Sequence, residues 1–479
     1  MAEKKFYLTT PIFYPNAKLH MGHAYTTTLS DILVRYHRLI KDKTYFLTGS
    51  DENTQKMVEA ARKAGQEPMV FLNDIVGKFS ALFNELDISY DQFIRTTDQK
   101  RHWPGATALW NKLVDAGDIY KKEYEGLYCV GHEAFITEKD LVDGKCPDHG
   151  TVPEFLKEKN YFFRLSKYTG AIQQKVESGE LHIIPETRKN EILSLLHEGL
   201  EDVSFSRPRK ADWPEGLGVP VPGDDTQVMY VWCDALSNYI TALGYGTDDD
   251  KLYQEFWPAD VHVIGKDILR FHAAIWPGML LSAGLPLPKT LLVHGFITSE
   301  GKKMSKSLGN VIDPEELLAE YGTDAVRYYL ARHISPFEDG DITREGFKEH
   351  YNANLANGLG NLVSRIMKLA ETNLPEPVKV TWSPFPQEFA EKLEKFEINQ
   401  AFDYVFARIG VLDQTITQTE PFKVIKTDPE RGRELITSLV QELANIDLML
   451  EPLLPGTSKK IIDAIVANKK PDNLFLRKD

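Results

Sequence analysis

Three groups of residues have types and spacings that can do chemistry. His20-Met21-Gly22-His23 sets two imidazoles around a glycine. Before it, Phe6-Tyr7-Leu8-Thr9-Thr10 reads as a strand; after it, Tyr25, Leu29, Leu33, Tyr36 and Ile40 recur at helical spacing. The histidines therefore fall where a strand hands over to a helix N-terminus, whose unpaired N–H groups and positive partial charge receive phosphate well. Gly22, with no Cβ, lets a ligand approach the backbone. Alone, the pattern also fits a capping turn with two solvated histidines. The second group is Lys303-Met304-Ser305-Lys306-Ser307, bracketed by Gly301 and Gly309 after a predicted strand at Leu291-Leu292-Val293. It reads as a phosphate-binding loop or as a solvated basic loop. The third is Cys129-x2-His132, then thirteen residues, then Cys146-x2-His149. Two thiolates and two imidazoles suit a tetrahedral Zn²⁺, with Gly131, Gly144 and Pro147 making the turns. The alternative is two buried cysteines with two surface histidines.

The elements that must position these groups alternate strand and helix up to about Gly117. Thr44-Tyr45-Phe46-Leu47 is a predicted second strand, a helix follows to about Lys63, Pro68 opens another, and Phe93-Ile94-Arg95 is a third strand. This alternation predicts an α/β, doubly wound parallel sheet, whose ligands gather at the C-terminal ends of its strands. No G-x-G-x-x-G is present. His20, His23 and Asp51 all lie just past strand ends, Asp51 as a partner for an ammonium group or as a helix N-cap. Hairpin strands are expected near Tyr120 to Tyr128. The sheet resumes with strands at Val228–Trp232 and Val261–Ile264. Gly265 and Asp267 follow the latter, Asp267 as a ribose ligand or a helix cap. Beyond Asp313-Pro314 the pattern is helical, over 343–372, 398–418, 429–449 and 457–467, broken by Pro375, Pro377, Pro384 and Pro386. That is a helix bundle.

Length and composition set bounds. At 479 residues two to four domains are expected. Hydrophobic content of 42% and charged content of 26% are ordinary for a globular chain. No signal or transit peptide is visible, and the most apolar stretch, Phe271 to Leu287, is too interrupted to span a membrane. Three cysteines exclude a disulfide framework and suit a cytoplasmic protein. A net charge of −14 neither supports nor excludes a nucleic-acid partner, since a basic path can run over an acidic body.

The two motifs together, in this order, resemble those of class I aminoacyl-tRNA synthetases. The run Thr10-Pro11-Ile12-Phe13-Tyr14-Pro15-Asn16-Ala17 into His20 looks like the methionyl-tRNA synthetase branch, and the resemblance covers the whole chain. It implies a Rossmann-like catalytic domain at 1–117 and 220–312, a zinc-knuckle insertion at 118–219, a stem-contact segment at 313–342 and a helical anticodon-binding domain at 343–479. It implies that L-methionine is joined to its tRNA through a methionyl-adenylate, using ATP and Mg²⁺ and releasing AMP and pyrophosphate. His20, Gly22, His23, Gly265, Asp267, Lys303 and Lys306 would serve ATP, with His20, His23, Lys303 and Lys306 catalytic. Asp51 would hold the substrate amine, and Ile12, Tyr14, Trp232, Ala235, Tyr239, Ile268 and His272 would line the methionine pocket. There a Tyr hydroxyl or imidazole is offered to the sulfur. Asn361, Arg365 and Phe422 would read a CAU anticodon.

Several positions depart from the family's pattern. Asn53-Thr54 stands where His or Tyr and then Gly are usual, and Leu236 where some relatives have Pro. His132 replaces a frequent Cys, and Phe422 a frequent Trp. The chain stops shortly after the bundle, so a monomer is expected. A nucleotidyltransferase, another class I synthetase and a non-catalytic tRNA-binding paralogue are the rival readings. The first lacks room for the bundle, the second meets the wrong pocket residues and too short an insertion, and the third expects a lost histidine or lysine.

Overall fold

The computed structural model describes residues 4–129, 134–136, 138–147, 150–211, 213–304 and 310–479. Six segments form one sheet: β1 (Lys5–Phe13), β2 (Lys43–Ser50), β3 (Gln92–Arg95), β4 (His182–Ile184), β5 (Val261–Gly265) and β6 (Thr290–His294). Their order is β3-β2-β1-β5-β6-β4, and every neighbouring pair is parallel. The order reverses between β1 and β5, which opens a crevice beyond their C-terminal ends.

Parallel strands are covered on both faces, so β1 is nearly all buried. Its side chains alternate between two cores. Phe6 and Leu8 join a cluster that runs through Leu33 and Val326 into Val363 and Leu443 of the C-terminal helices. Tyr7 points the other way, into a cluster with Leu47, Trp110, Tyr239 and Trp276.

Within 118–219 a long antiparallel pair, Ile119–Cys129 with Glu154–Phe163, carries the first cysteine at its tip. The same stretch then returns β4 to the edge of the parallel sheet beside β6. A three-stranded sheet joins Ile297–Ser299, Lys302–Lys303 and Gly340–Asp341, so the segment after residue 313 pairs with the base of the lysine loop.

The predicted strand at Val228–Trp232 is corrected. The strand spans Asp224–Met229, Tyr230 is extended, and a helix runs Val231–Thr241. Apolar runs this short do not distinguish buried strand from buried helix. The stretch from Thr343 holds a helix Arg344–His350, a π-helix Tyr351–Gly360 and a helix Asn361–Asn373. Longer helices follow at Ile398–Thr419 and Pro429–Leu450, with another at Pro455–Ala467. Short helices at Gln387–Glu394 and Pro421–Thr427 were not foreseen; each has a proline just before or at its first residue.

Arg327 ties the C-terminal helices to the helix Met21–Leu39 that follows β1. Its guanidinium is fully buried, pairs with Asp31 at 2.8 Å, and donates to the carbonyls of Leu86 at 3.1 Å and Leu453 at 3.3 Å. Asp31 lies on the helix that the two histidines begin. No helix among the described residues is long and apolar enough to cross a membrane.

Candidate functional site

His20 is the N-cap of the helix Met21–Leu39, and the two histidines build a capping box between them. The Gly22 N–H donates to His20 Nδ1 at 3.1 Å, and the His20 N–H donates to His23 Nδ1 at 3.0 Å. An Nδ1 that accepts leaves the ring proton on Nε2. Both rings thus place their N–H on the side away from the backbone, as donors suited to an oxyanion. Phe13, at the end of β1, meets His23 edge-on at 4.8 Å, and the two imidazole centroids are 3.9 Å apart. Burial, with the neighbouring His20 and His294, pushes His23 well below the usual imidazole range, so it is neutral at pH 7. A Cβ on Gly22 would come within 2.9 Å of the His20 ring. The open space at this glycine therefore admits its own neighbour.

Across the crevice, Gly265 ends β5 and pairs in register with His294, which ends β6. A Cβ on Gly265 would meet Asp267 Oδ1 at 2.6 Å and lie 3.7 Å from His294 Cε1, so the three residues converge. His294 donates from Nδ1 to the Gly295 carbonyl at 2.8 Å, and its Nε2 lies 2.7 Å from Thr26 Oγ1. It thereby ties β6 to the histidine-capped helix. Sequence reasoning missed His294; the available signal was its place at a strand's C-terminal end.

Asp51 directly follows β2, is 3% exposed, and donates its backbone N–H to the Phe13 carbonyl at 2.9 Å. Tyr239 faces it: burial, then the Asp51 charge, raises the phenol above its usual range. Trp232, Ala235 and Tyr239 share one face of the helix Val231–Thr241 through spacings of three and four. The Trp232 ring stacks on Phe271 at 3.6 Å. The Tyr239 hydroxyl bonds His272, which in turn bonds the Ile268 carbonyl. Ile12 and Tyr14 enter from the end of β1 and just beyond it, with the Lys56 ammonium 4.5 Å over the Tyr14 ring. Phe271 and Lys56 are additions to the residues expected here.

Lys303 ends the strand Lys302–Lys303, and Lys306 lies outside the described residues. Cys129 and Cys146 are both buried. Cys146 sits in a tight turn, its N–H donating to the Thr151 carbonyl at 2.9 Å and its carbonyl accepting from Gly150 N–H at 2.7 Å. His132 and His149 lie outside the described residues, among which no metal-binding cluster is formed. Among the C-terminal helices, Arg365 and Phe422 line one surface pocket of about 430 Å³ with Ser364, Lys368, Leu369, Ile416 and Lys470. Asn361 is exposed one turn before Arg365, and Arg365 pairs with Asp413.

A profile of the family described as tRNA synthetases class I (M) matches residues 6–151 and 139–367. The chain is 43% identical over 479 residues to the methionine–tRNA ligase of Caldanaerobacter subterraneus subsp. tengcongensis, covering 97% of this chain and 74% of that one. It is 44% identical over 475 residues to that of Clostridium acetobutylicum, covering 96% and 73%. The chain belongs to the methionyl-tRNA synthetase family. Among solved structures, Mycobacterium tuberculosis methionyl-tRNA synthetase in complex with methionyl-adenylate superposes with a TM-score of 0.88 at 35% identity, covering 99% of both chains. The synthetase thus combines the parallel sheet and the helical C-terminal region of that structure with two histidines at the sheet's crevice.

Proposed function

We propose that the chain, an ATP-dependent methionine–tRNA ligase, performs both half-reactions with the residues gathered at the crevice. Methionine's carboxylate attacks the α-phosphorus of ATP, giving methionyl-adenylate and pyrophosphate; the terminal ribose hydroxyl of tRNA then takes the methionyl group. Neither step needs a protein nucleophile, so catalysis rests on alignment and on charge placed against the developing phosphate. The observation that carries this reading is the double histidine cap, with both ring protons on Nε2 at a helix N-terminus opposite Gly265 and Asp267.

His20 and His23 donate to phosphate oxygens, Gly22 and Gly265 leave room for the His20 ring and the Asp267 carboxylate at the nucleotide's site, and Asp267 takes ribose hydroxyls. Lys303 and Lys306 hold the charge of the pyrophosphate, which Mg²⁺ would share when bound. Asp51 holds the ammonium group of methionine, and Ile12, Tyr14, Trp232, Ala235, Tyr239, Ile268 and His272 surround its side chain. Cys129, His132, Cys146 and His149 would hold one structural Zn²⁺; two buried thiols at a strand tip and a tight turn suit it. Asn361, Arg365 and Phe422 read the CAU anticodon. Residues 1–117 and 220–312 act as the catalytic domain, 118–219 as the insertion, 313–342 as the stem contact and 343–479 as the anticodon domain. The chain works as a monomer in the cytoplasm.

The deciding experiment is amino-acid-dependent ATP–pyrophosphate exchange with each amino acid in turn, on the parent and on Lys306→Ala. Exchange with methionine alone, lowered by orders of magnitude in Lys306→Ala at unchanged methionine affinity, is the expected result, because contacts made only in the transition state change rate and not ground-state binding. Near-normal exchange in the variant would remove Lys306 from the mechanism.

A further inference from the structure

The loop after β2 runs Asp51-Glu52-Asn53-Thr54, and all four residues are buried. Thr54 caps the helix Gln55–Lys63, its side chain accepting from the Met57 N–H at 3.2 Å. Glu52 is anchored to β3 and the turn beyond it: its carboxylate accepts from Arg95 Nε at 2.7 Å, and its N–H donates to Thr96 Oγ1 at 2.9 Å. Asn53 reaches further. Its Nδ2 donates to the Thr96 carbonyl at 3.0 Å and to Asp234 Oδ2 at 2.7 Å, while its Oδ1 accepts from the Gly218 N–H at 2.9 Å.

Asp234 is fully buried between Trp232 and Ala235 in sequence, on the helix that also bears Tyr239. Its other oxygen accepts from His102 Nε2 at 2.5 Å, and His102 Nδ1 lies 2.8 Å from Thr241 Oγ1 at the end of the same helix. A buried carboxylate requires donors on both oxygens. Asn53 supplies one of them, from a position two residues after Asp51. Only a side chain with both an N–H donor and a carbonyl acceptor can make this set of bonds.

We infer that Asn53 is a positioning residue for the amino-acid substrate. Through Asp234 it holds the helix carrying Trp232, Ala235 and Tyr239 in register with the loop carrying Asp51. The group that takes the substrate's ammonium and the wall that takes its side chain are thereby one unit. This rests on the assignment of Asp51 and that helix to the methionine site. It also accounts for the departure at position 53, because an amide there completes the coordination of a specific buried carboxylate.

The test is a reciprocal exchange in the full chain, Asn53→Asp, Asp234→Asn and the double variant, measured by ATP–pyrophosphate exchange at varied methionine and varied ATP, with thermal midpoints. Asn53→Asp sets two carboxylates against each other, and Asp234→Asn sets two amides against each other. Each single variant is expected to raise the methionine KM roughly ten- to hundredfold, the size of an unsatisfied buried polar group, and to leave the ATP KM within about twofold. The double variant restores one amide against one carboxylate between positions 53 and 234, while the Thr96 carbonyl loses the Asn53 donor, so it should recover part of the loss in methionine KM seen in Asn53→Asp, as coupled neighbours do. Asn53→Ala, which adds no charge, should move the methionine KM in the same direction and decides the matter if Asn53→Asp does not fold. Single variants, Asn53→Ala included, whose thermal midpoint and kcat fall while methionine KM holds, or a double variant worse than Asn53→Asp, overturn the inference. Asp51→Asn is run alongside: an unchanged methionine KM there would overturn the site assignment itself, whereas a raised one with normal Asn53 variants would overturn this inference alone.

Discussion

Tyr239 Oη lies 2.7 Å from His272 Nε2, and His272 Nδ1 lies 2.9 Å from the Ile268 carbonyl. A carbonyl only accepts, so Nδ1 carries the imidazole proton. Burial lowers His272 to about 4, so the ring is neutral at pH 7 and Nε2 accepts from the Tyr239 hydroxyl. Neither proton is left over: the phenol donates to His272 Nε2, and the imidazole donates from Nδ1 to the Ile268 carbonyl. The sequence suggested a hydroxyl or imidazole offered to a thioether; in this structure the hydroxyl is offered to the imidazole and the imidazole to a backbone carbonyl. A sulfur atom seated here gains mainly from the aromatic faces of Tyr239 and Trp232.

Tyr239→Phe keeps the ring and removes the donor, leaving His272 Nε2 a buried acceptor without a partner. Such a loss costs about 1–3 kcal/mol. Chemical denaturation should show that loss, and the methionine KM in exchange should rise while the ATP KM holds. A variant of unchanged stability would mean that water replaces the hydroxyl.

The low pKa of His272 gives stability a definite pH dependence. Its folded value of about 4 is below the unfolded value of 6.5. Between those values the unfolded chain binds a proton that the folded chain does not, so stability is fully present above 6.5 and falls as pH drops toward 4. His23 and His262, pushed well below 6.5 by burial, act with the same sign. His272→Gln, which can still donate to Ile268 and accept from Tyr239, should flatten the decline between pH 6.5 and 4 in urea titrations. Parallel curves for parent and variant would show that other groups dominate.

Arg365 and Phe422 share a pocket, with Phe422 41% exposed. Single-stranded RNA is read by pairing hydrogen bonds with an aromatic stack. A stack is worth about 1–3 kcal/mol per base, so Phe422→Ala should cost roughly one to two orders of magnitude in aminoacylation of tRNA with a CAU anticodon. Arg365→Ala should weaken the same reaction. Both should leave ATP–pyrophosphate exchange intact, since the pocket belongs to the helical region. Phe422→Trp should be neutral or better. Normal charging by Phe422→Ala would make Phe422 a packing residue only.

Protein purified without chelator should contain roughly one equivalent of zinc, and Cys146→Ser should lose it, because metal binding and local folding are coupled. Metal analysis with charging assays decides this; zinc-free protein that charges tRNA normally would sink the idea.

Local pattern in the sequence determined the strands around Phe6–Thr10 and Thr44–Leu47, the helix behind His20–His23, the C-terminal helices, and the two motifs that carry the family resemblance. These are legible because side chains two apart on a strand, or three and four apart on a helix, share a face whatever the rest of the chain does. Val228–Trp232 marks the limit: five apolar residues satisfy either period, and packing against Phe271 and the sheet decided for a helix from Val231. Tertiary structure alone brought His294 against Thr26, returned His182–Ile184 to the sheet's edge, and tied Asn53 to Asp234 across 181 positions, whereas the proximity of Arg365 and Phe422 was already implied by the family resemblance. Each depends on which strands pair and in what register, which is set by closing long loops over shared cores. No window of the sequence contains both partners, and a buried hydrogen bond leaves no periodic trace at either end.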